Sequence, residues 1–460
     1  MTPQEMVERA LATTRSSGCV AIVSASSSVN VRWAGNTLTT NGVMRSREVT
    51  VVAIAERPDG AAAGVVSASV ATAEDLEAVV RAADAAASDA QPAPDAAPLV
   101  GGGDAPSDWD LPPAETSADV FQTYAPRLGA SLSQARAEGI ELFGFAEHDL
   151  ATTYVGSSAG LRLRQVQPGG RIETTGKSHD RSRSTWVGRY VPDFSDVDVS
   201  ALDVEIRQRL DWQGRQIELA PGRYETVLPP SSVADLMVYL YWTASAREAF
   251  EGRTVFSKPG GGTRVGEQLS ASGAGLFSDP AYPGLECAAS VIATASSSVS
   301  SVFDTGLPLS RTSWVADGTL RNLLQNRHTA DLTGLDLTPP IDNLVLEVPG
   351  GSGTTADLVA NTERGLLLTT LWYIREVDPQ TLLLTGLTRD GVYLVEGGEV
   401  VGAVNNFRFN ESPVGVLERI EEAGATGIAS PREWGDYFSR VAMPPLRVAD
   451  FNMSTVSQAS

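Results

Sequence analysis

Leu382-Leu383-Leu384-Thr385-Gly386-Leu387-Thr388, the turn Arg389-Asp390-Gly391, then Val392-Tyr393-Leu394-Val395, the turn Gly397-Gly398 and the run 400–409 decide the fold class. Short β-rich runs separated by Asp-Gly and Gly-Gly read as successive antiparallel strands, because those residues accept the left-handed turn conformations that L side chains avoid. The stretch predicts a meander. Downstream, Ser412-Pro413 starts a helix with Val416, Leu417 and Ile420 inward, ending at Gly424. Upstream, a helix is expected over 231–251, because Val233, Leu236, Met237, Leu240 and Ala244 recur on one face. Tyr239, Tyr241 and Trp242 add aromatic area around that face, which suits either core or a protein interface. Ala220-Pro221-Gly222 marks the boundary, so residues 221–460 read as one large β-rich domain.

Two smaller units precede it. Thr2-Pro3-Gln4-Glu5 caps a helix reaching about Ser16, followed by β-rich runs 19–24, 28–33 and 49–56, the turn Pro58-Asp59-Gly60 and a strand over 63–69. Thr72 and Asp75 cap a second helix with Leu76, Val79, Val80 and Ala83 on one face, completing an αβ domain over 1–87. Residues 88–114 are rich in Pro, Gly and Ala and read as a linker, with Trp109 and Leu111 allowing an extended strap instead. A second αβ domain spans 115–220: a helix over 117–138 bent at Pro126, a strand over 140–146, a hairpin through Gly156–Gly160 and a helix over 200–212. The fold class is α+β, with antiparallel hairpins in N-terminal α/β layers and a β-rich C-terminal domain.

Charge excludes some partners. Lys and Arg number 35 against 56 Asp and Glu, a net charge of −21, which repels phosphate backbones and argues against nucleic acid. The two cysteines, Cys19 and Cys287, form no disulfide framework. The N-terminus has neither a basic start nor an apolar run, and no apolar stretch approaches the ~20 residues needed to span a bilayer. The expectation is a cytoplasmic protein without a membrane partner.

The candidate chemistry is sparse. Gly156-Ser157-Ser158-Ala159-Gly160 has the G-x-S-x-G pattern, but the alternating run 161–166 makes it a hairpin turn instead of a strand-to-helix elbow, so Ser158 is read as a turn residue. The loop 349–355 has no Lys to meet phosphates, and Thr354 with Asp357 reads as a capping box. The three histidines, His148, His179 and His328, are far apart and fall in no metal motif. Residues 161–189 reverse the acidic balance with Arg162, Arg164, Arg171, Lys177, Arg181, Arg183 and Arg189, either a solvated hairpin face or a strip for an acidic peptide or partner.

Several motifs occur in a familiar order. Val255-Phe256-Ser257, Arg264-Val265-Gly266-Glu267 and Phe277-Ser278-Asp279-Pro280 are followed by Phe303-Asp304-Thr305-Gly306 and Val315-Ala316-Asp317-Gly318-Thr319-Leu320. Arg364-Gly365-Leu366-Leu367-Leu368-Thr369 and the run 392–400 continue it, and Trp33-Ala34-Gly35-Asn36-Thr37-Leu38 fits near the start. In this order the chain resembles the TldD/TldE (PmbA) metallopeptidase family over nearly its whole length. The resemblance implies that catalytic TldD-type subunits carry H-E-x-x-x-H on the helix before the V-F-S segment and a later Cys as third zinc ligand. Here that helix, through Asp235-Leu236-Met237-Val238-Tyr239-Leu240-Tyr241-Trp242, has no His, and 431–454 has no Cys.

The resemblance therefore implies a TldE/PmbA-type subunit with no catalytic, cofactor or metal residue of its own, paired with a TldD-like subunit that holds the zinc. The heterodimer would degrade unfolded peptides or process leader peptides in an enclosed cavity. Candidate peptide or partner contacts are Arg162, Arg164, Arg171, Arg181, Arg183, Tyr239 and Trp242. The alternative is a peptide-binding or regulatory protein with no protease association.

Overall fold

Thr2 caps helix α1 (Pro3–Thr13) in a capping box with Glu5. The helix stops short of Ser16 because Asp84 draws the chain away, accepting hydrogen bonds from the Thr14 and Ser16 hydroxyls and the Arg15 N–H. Strands β1 (Gly18–Ala34), β2 (Thr37–Arg57) and β3 (Gly60–Ser69) follow, then α2 (Ala73–Asp89), α3 (Tyr124–Ala137), β4 (Ile140–Ser157), β5 (Arg162–Ser178), β6 (Ser184–Tyr190) and α4 (Val199–Trp212). The computed structural model describes residues 1–195 and 197–457; the end of the last expected domain, 458–460, lies outside the described residues.

The runs 19–24 and 28–33 are one strand. β1 pairs with β2 on one side and β4 on the other, which satisfies its backbone straight through the serines between them. The sheet order is β3-β2-β1-β4-β5-β6, so residues 1–87 and 115–220 build one six-stranded antiparallel sheet joined at the β1–β4 seam. The segment 88–114 is a strap on that sheet. Trp109 is buried edge-on against Tyr154 with ring centroids 5.7 Å apart, and the Gln4 side-chain amide donates to the carbonyls of Trp109 and Leu111 at 2.8 and 2.9 Å. Helices α1 and α2 cover one face over Ala21, Val23, Val51 and Ala53, while Val20, Ile22, Val52 and Ile54 on the other meet Val302 and Phe303 of the C-terminal region. Pro126 sits in the first turn of α3; the chain before it makes a 3-10 turn, Ala118–Phe121.

The C-terminal region stacks a ten-stranded sheet and a six-stranded sheet around helix α5 (Pro230–Trp242). Val233, Leu236, Met237 and Leu240 are buried as the spacing predicts, and so is every other residue from Ser232 to Val238, about two turns. A helix buried all round is a core helix, not an amphipathic surface one. The expected helix over 231–251 is two. The chain leaves α5 at Thr243, Leu324 exchanges backbone hydrogen bonds with Ala244 and Ala246, and Ser245 caps a new helix, Ala246–Phe250.

The expected meander holds at its second turn, where Val392–Glu396 pairs antiparallel with Glu399–Val404 across Gly397-Gly398, and is corrected at its first. Leu383–Thr388 and Val392–Glu396 lie in the same sheet but are not neighbours; Phe407–Glu411, Leu446–Val456, Gly222–Leu228 and Arg364–Leu368 lie between them. The turn is a crossover: Asp390 and Gly391 take positive φ, and the Gly391 carbonyl accepts the Thr369 N–H, anchoring the link across the sheet. The run 400–409 breaks at Asn405, whose side-chain oxygen accepts the Leu219 N–H, giving Glu399–Val404 and Phe407–Glu411. The helix at Ser412 ends at Glu418. Ile420 belongs to a strand, Ile420–Ala423, because residues 420–423 pair with Leu446–Val448.

Candidate functional site

Asp235 is a carboxylate in the middle of an otherwise apolar helix, and it is fully buried. Its Oδ1 accepts the Glu433 N–H at 2.9 Å and its Oδ2 the Arg432 N–H at 3.2 Å, while its main-chain carbonyl accepts from Trp434 Nε1 at 2.9 Å. Burial pushes the Asp235 carboxyl well above the ordinary carboxylate range, the backbone N–H groups pull against that, and the charge of Glu433 reinforces it. Positions four and seven residues further along α5 share that helix side. Tyr239 packs on Trp434 at 5.7 Å between ring centroids, and Trp242 meets Trp434 at 5.2 Å and Phe438 at 6.3 Å. One stripe of α5 thus holds the segment 432–438 by a carboxylate clamp and an aromatic stack.

That segment extends the network. Glu433 accepts the N–H groups of Tyr373 and Ile374 at 3.1 and 3.2 Å, holding a bulge at which Tyr373 has φ 52°. The Arg432 guanidinium lies between the rings of Trp186 and Trp372, 4.8 and 4.6 Å from their centroids, and pairs with Glu173 at 3.1 Å. Glu173 also accepts from Trp186 Nε1 at 3.2 Å. Arg171 bridges Glu173 and Asp436. Side chains of β5 and β6 are therefore tied to the C-terminal region through Arg171, Glu173 and Trp186. Exposed rings surround the tie: Trp242 is 38%, Tyr373 56% and Tyr437 77% exposed. Trp, Tyr and Arg are the residues that dominate protein contact energetics. Beside it opens a cleft of about 680 Å³, with Trp186, Arg189, Glu205 and Arg209 on one wall and Ser231 and Leu367 on the other. Burial raises the Glu205 carboxyl, but Arg209 and Arg189 outweigh it and hold the group below its ordinary range.

The arginine strip does not act as one surface. Arg171 reaches the cluster with Tyr239 and Trp242. Arg162 pairs with Glu8 at 2.7 Å, and Arg164, its side chain 8% exposed, pairs with Asp108 at 2.9 Å and steadies the strap. Arg181 pairs with Glu141 at 2.9 Å at the hairpin tip, and Arg183 donates to the Leu210 carbonyl at 3.1 Å. Sequence reasoning missed Asp235, Arg432, Glu433, Trp372 and Glu173. The one available signal was a lone carboxylate inside the apolar run 233–238.

The other candidates resolve as structure. Ser158 sits in the β4–β5 turn, exchanging hydrogen bonds with the Cys19 backbone. The Thr354–Asp357 capping box is present. His148 lies between Thr116 and the Pro192 carbonyl, and His179 is exposed near a hairpin tip. Among the described residues no group of three His, Cys, Asp or Glu side chains could hold a metal ion. On the helix where the resemblance puts zinc ligands, Asp235 faces two N–H donors and Tyr239 faces a ring, an arrangement that does not fit zinc. Among the described residues no helix is long and apolar enough to cross a membrane.

Comparison with known proteins gives three close likenesses of fold. The crystal structure of TldE from Thermococcus kodakarensis superposes with a TM-score of 0.79 at 15% identity, covering 98% of this chain and 99% of that one. A Thermotoga maritima protein described as a modulator of DNA gyrase gives 0.76 at 16% identity, covering 98% and 99%. A Bacteroides thetaiotaomicron protein of the same description gives 0.74 at 14% identity, covering 99% and 98%. No curated protein matches this chain. The model of the PmbA/TldA metallopeptidase C-terminal domain matches residues 221–455, just over half of the sequence and the whole region built around α5. The chain belongs to the PmbA/TldD family.

Proposed function

We propose that this chain is the non-catalytic, TldE/PmbA-type subunit of a two-subunit zinc metallopeptidase, pairing with a TldD-like subunit that holds the zinc and acting on unfolded or leader peptides in the cytoplasm. One observation carries the reading: the stripe of α5 and the segment facing it, where the resemblance expects metal ligands, bind each other through Asp235, Tyr239, Trp242 and Trp434. A peptidase zinc needs three protein ligands and an open position to polarise a carbonyl and activate water. A helix face filled by a carboxylate clamp and stacked rings offers neither. The exposed aromatic rings around Arg432 and the adjoining cleft supply cavity wall and contact surface instead.

The test is reconstitution. The purified chain is assayed on casein, with and without zinc, alone and after mixing with a TldD-type subunit from the same cell. Cleavage is expected only in the mixture. Zinc-dependent cleavage by this chain alone overturns the proposal, and failure to associate with any TldD-type subunit supports the peptide-binding alternative.

A further inference from the structure

The β1–β2 hairpin outruns the strand beside it. β2 pairs with β1 along residues 37–54, but β3 pairs with β2 only between Glu48 and Arg57. Among the described residues no strand lies against the outer side of residues 37–47, and residues 37–46 are exposed. The arm is firmly backed, because β4 pairs with the far side of β1 as far as Trp33. The register with β1 shifts once, between Arg32 and Trp33, leaving 40–47 in regular pairing, an edge of roughly 27 Å. Alternate residues of such an edge turn their N–H and C=O groups outward. Natural edges are usually blunted by proline, by charge, lysine above all, or by bulges. Here Thr40-Asn41-Gly42-Val43-Met44-Arg45-Ser46-Arg47 contains no proline or lysine, and Val43 and Met44 stand 49% and 65% exposed.

Charge selects the occupant. Residues 37–47 include Arg45 and Arg47 and no carboxylate, and exposed Arg32 lies opposite Thr40 on β1. Arg45 reaches Glu115 at 2.8 Å, with both side chains more than half exposed. This is a cationic edge on a chain of net charge −21. A second copy would bring arginines to arginines and one acidic body to another, which opposes self-pairing. We infer that the outer edge of β2 over residues 40–47 takes up an extended polypeptide segment bearing acidic side chains as an added strand. Main-chain hydrogen bonds provide sequence-tolerant binding, and the arginines select for charge. The inference deepens the peptide-handling part of the proposed function and rests on it, but it requires no zinc subunit, so the two readings fail separately.

The probe is a short fluorescein-labelled peptide alternating Glu with Thr and Val, with a Lys-for-Glu peptide as its match, titrated with the full chain alone and followed by anisotropy at low salt. The Glu peptide is expected to bind and the Lys peptide not to. The double variant R45E/R47E, which changes one exposed and one half-buried arginine and gives up the Arg47 bond to the Met1 carbonyl, is expected to weaken binding about tenfold while keeping the wild-type melting temperature. Val43→Pro and Met44→Pro are made as two separate variants, since only one of two adjacent positions turns its N–H outward and the other bonds β1, where proline would destabilise the hairpin; the outward-facing one is the variant that tests the edge. That variant is expected to keep the wild-type melting temperature and lose binding. Equal binding by R45E/R47E overturns the inference, as does absence of Glu-peptide binding, or concentration-dependent self-association that the proline substitution abolishes.

Discussion

Replacing Asp235 with alanine tests the central contact of the α5 stripe. The substitution leaves the N–H groups of Arg432 and Glu433, now 3.2 and 2.9 Å from the carboxylate, without an acceptor in a site where the side chain is 0% exposed. Each of the two orphaned buried donors costs about 1–3 kcal/mol, about 2–6 kcal/mol together, and relief from burying an acidic group returns part of that, so Asp235→Ala is expected to destabilise by about 2–4 kcal/mol. Urea unfolding followed by tryptophan fluorescence measures it, since Trp434 and Trp242 sit on the same stripe. A change within about 0.5 kcal/mol would refute the reasoning, because that is the scatter of ordinary surface substitutions. The pH dependence adds a sign. The folded-state pKa of Asp235 is raised above 3.8 by burial first, so the stability of its neutral form is complete below that value and is lost as pH rises through the raised pKa. One group can contribute a slope of at most about 1.4 kcal/mol per pH unit. The gap between wild type and Asp235→Ala is therefore expected to narrow as pH climbs through that window. A gap that widens would mean the N–H groups outweigh burial.

Two further perturbations address other parts of the network. Arg432→Lys keeps the charge but loses the flat guanidinium between Trp186 and Trp372, and is expected to cost about 1–2 kcal/mol in the same unfolding assay; no measurable loss would show that charge alone matters there. Both thiols are buried, Cys19 pushed up to about 12 and Cys287 to about 11, chiefly by burial, so native protein at pH 8 should react slowly with a thiol reagent and unfolded protein fast. Rapid native labelling of either would contradict the burial.

Local chemistry made the caps and short elements legible. The capping boxes at Thr2, Thr72 and Thr354 stand where the sequence puts them, because each is a contact between residues three apart. Strand pairing over long separations was not legible. Arg389-Asp390-Gly391 has the composition of a hairpin turn, yet Thr369 decides its path by donating to the Gly391 carbonyl. The arginine strip looked continuous because a sequence lists both faces of a strand together. In the fold β5 alternates, which puts Arg171 on the face opposite Arg162 and Arg164, and the three find carboxylates in three different places. The cluster around Asp235 joins residues 198 positions apart, and its partners are backbone N–H groups, which no residue pattern announces.

The same geometry explains why α5 is a poor starting point for a metal site. A zinc centre built on this helix needs ligand side chains free to turn toward an ion, with an open coordination position. Asp235 holds two N–H groups of 432–433, and Tyr239 and Trp242 hold the ring of Trp434. Releasing those side chains to bind a metal would also release Glu433 from the Tyr373 bulge and Arg432 from its position between two indoles, loosening the tie between the N-terminal sheet and the C-terminal region. On this stripe the polar and aromatic side chains are already committed to holding the two halves of the molecule together.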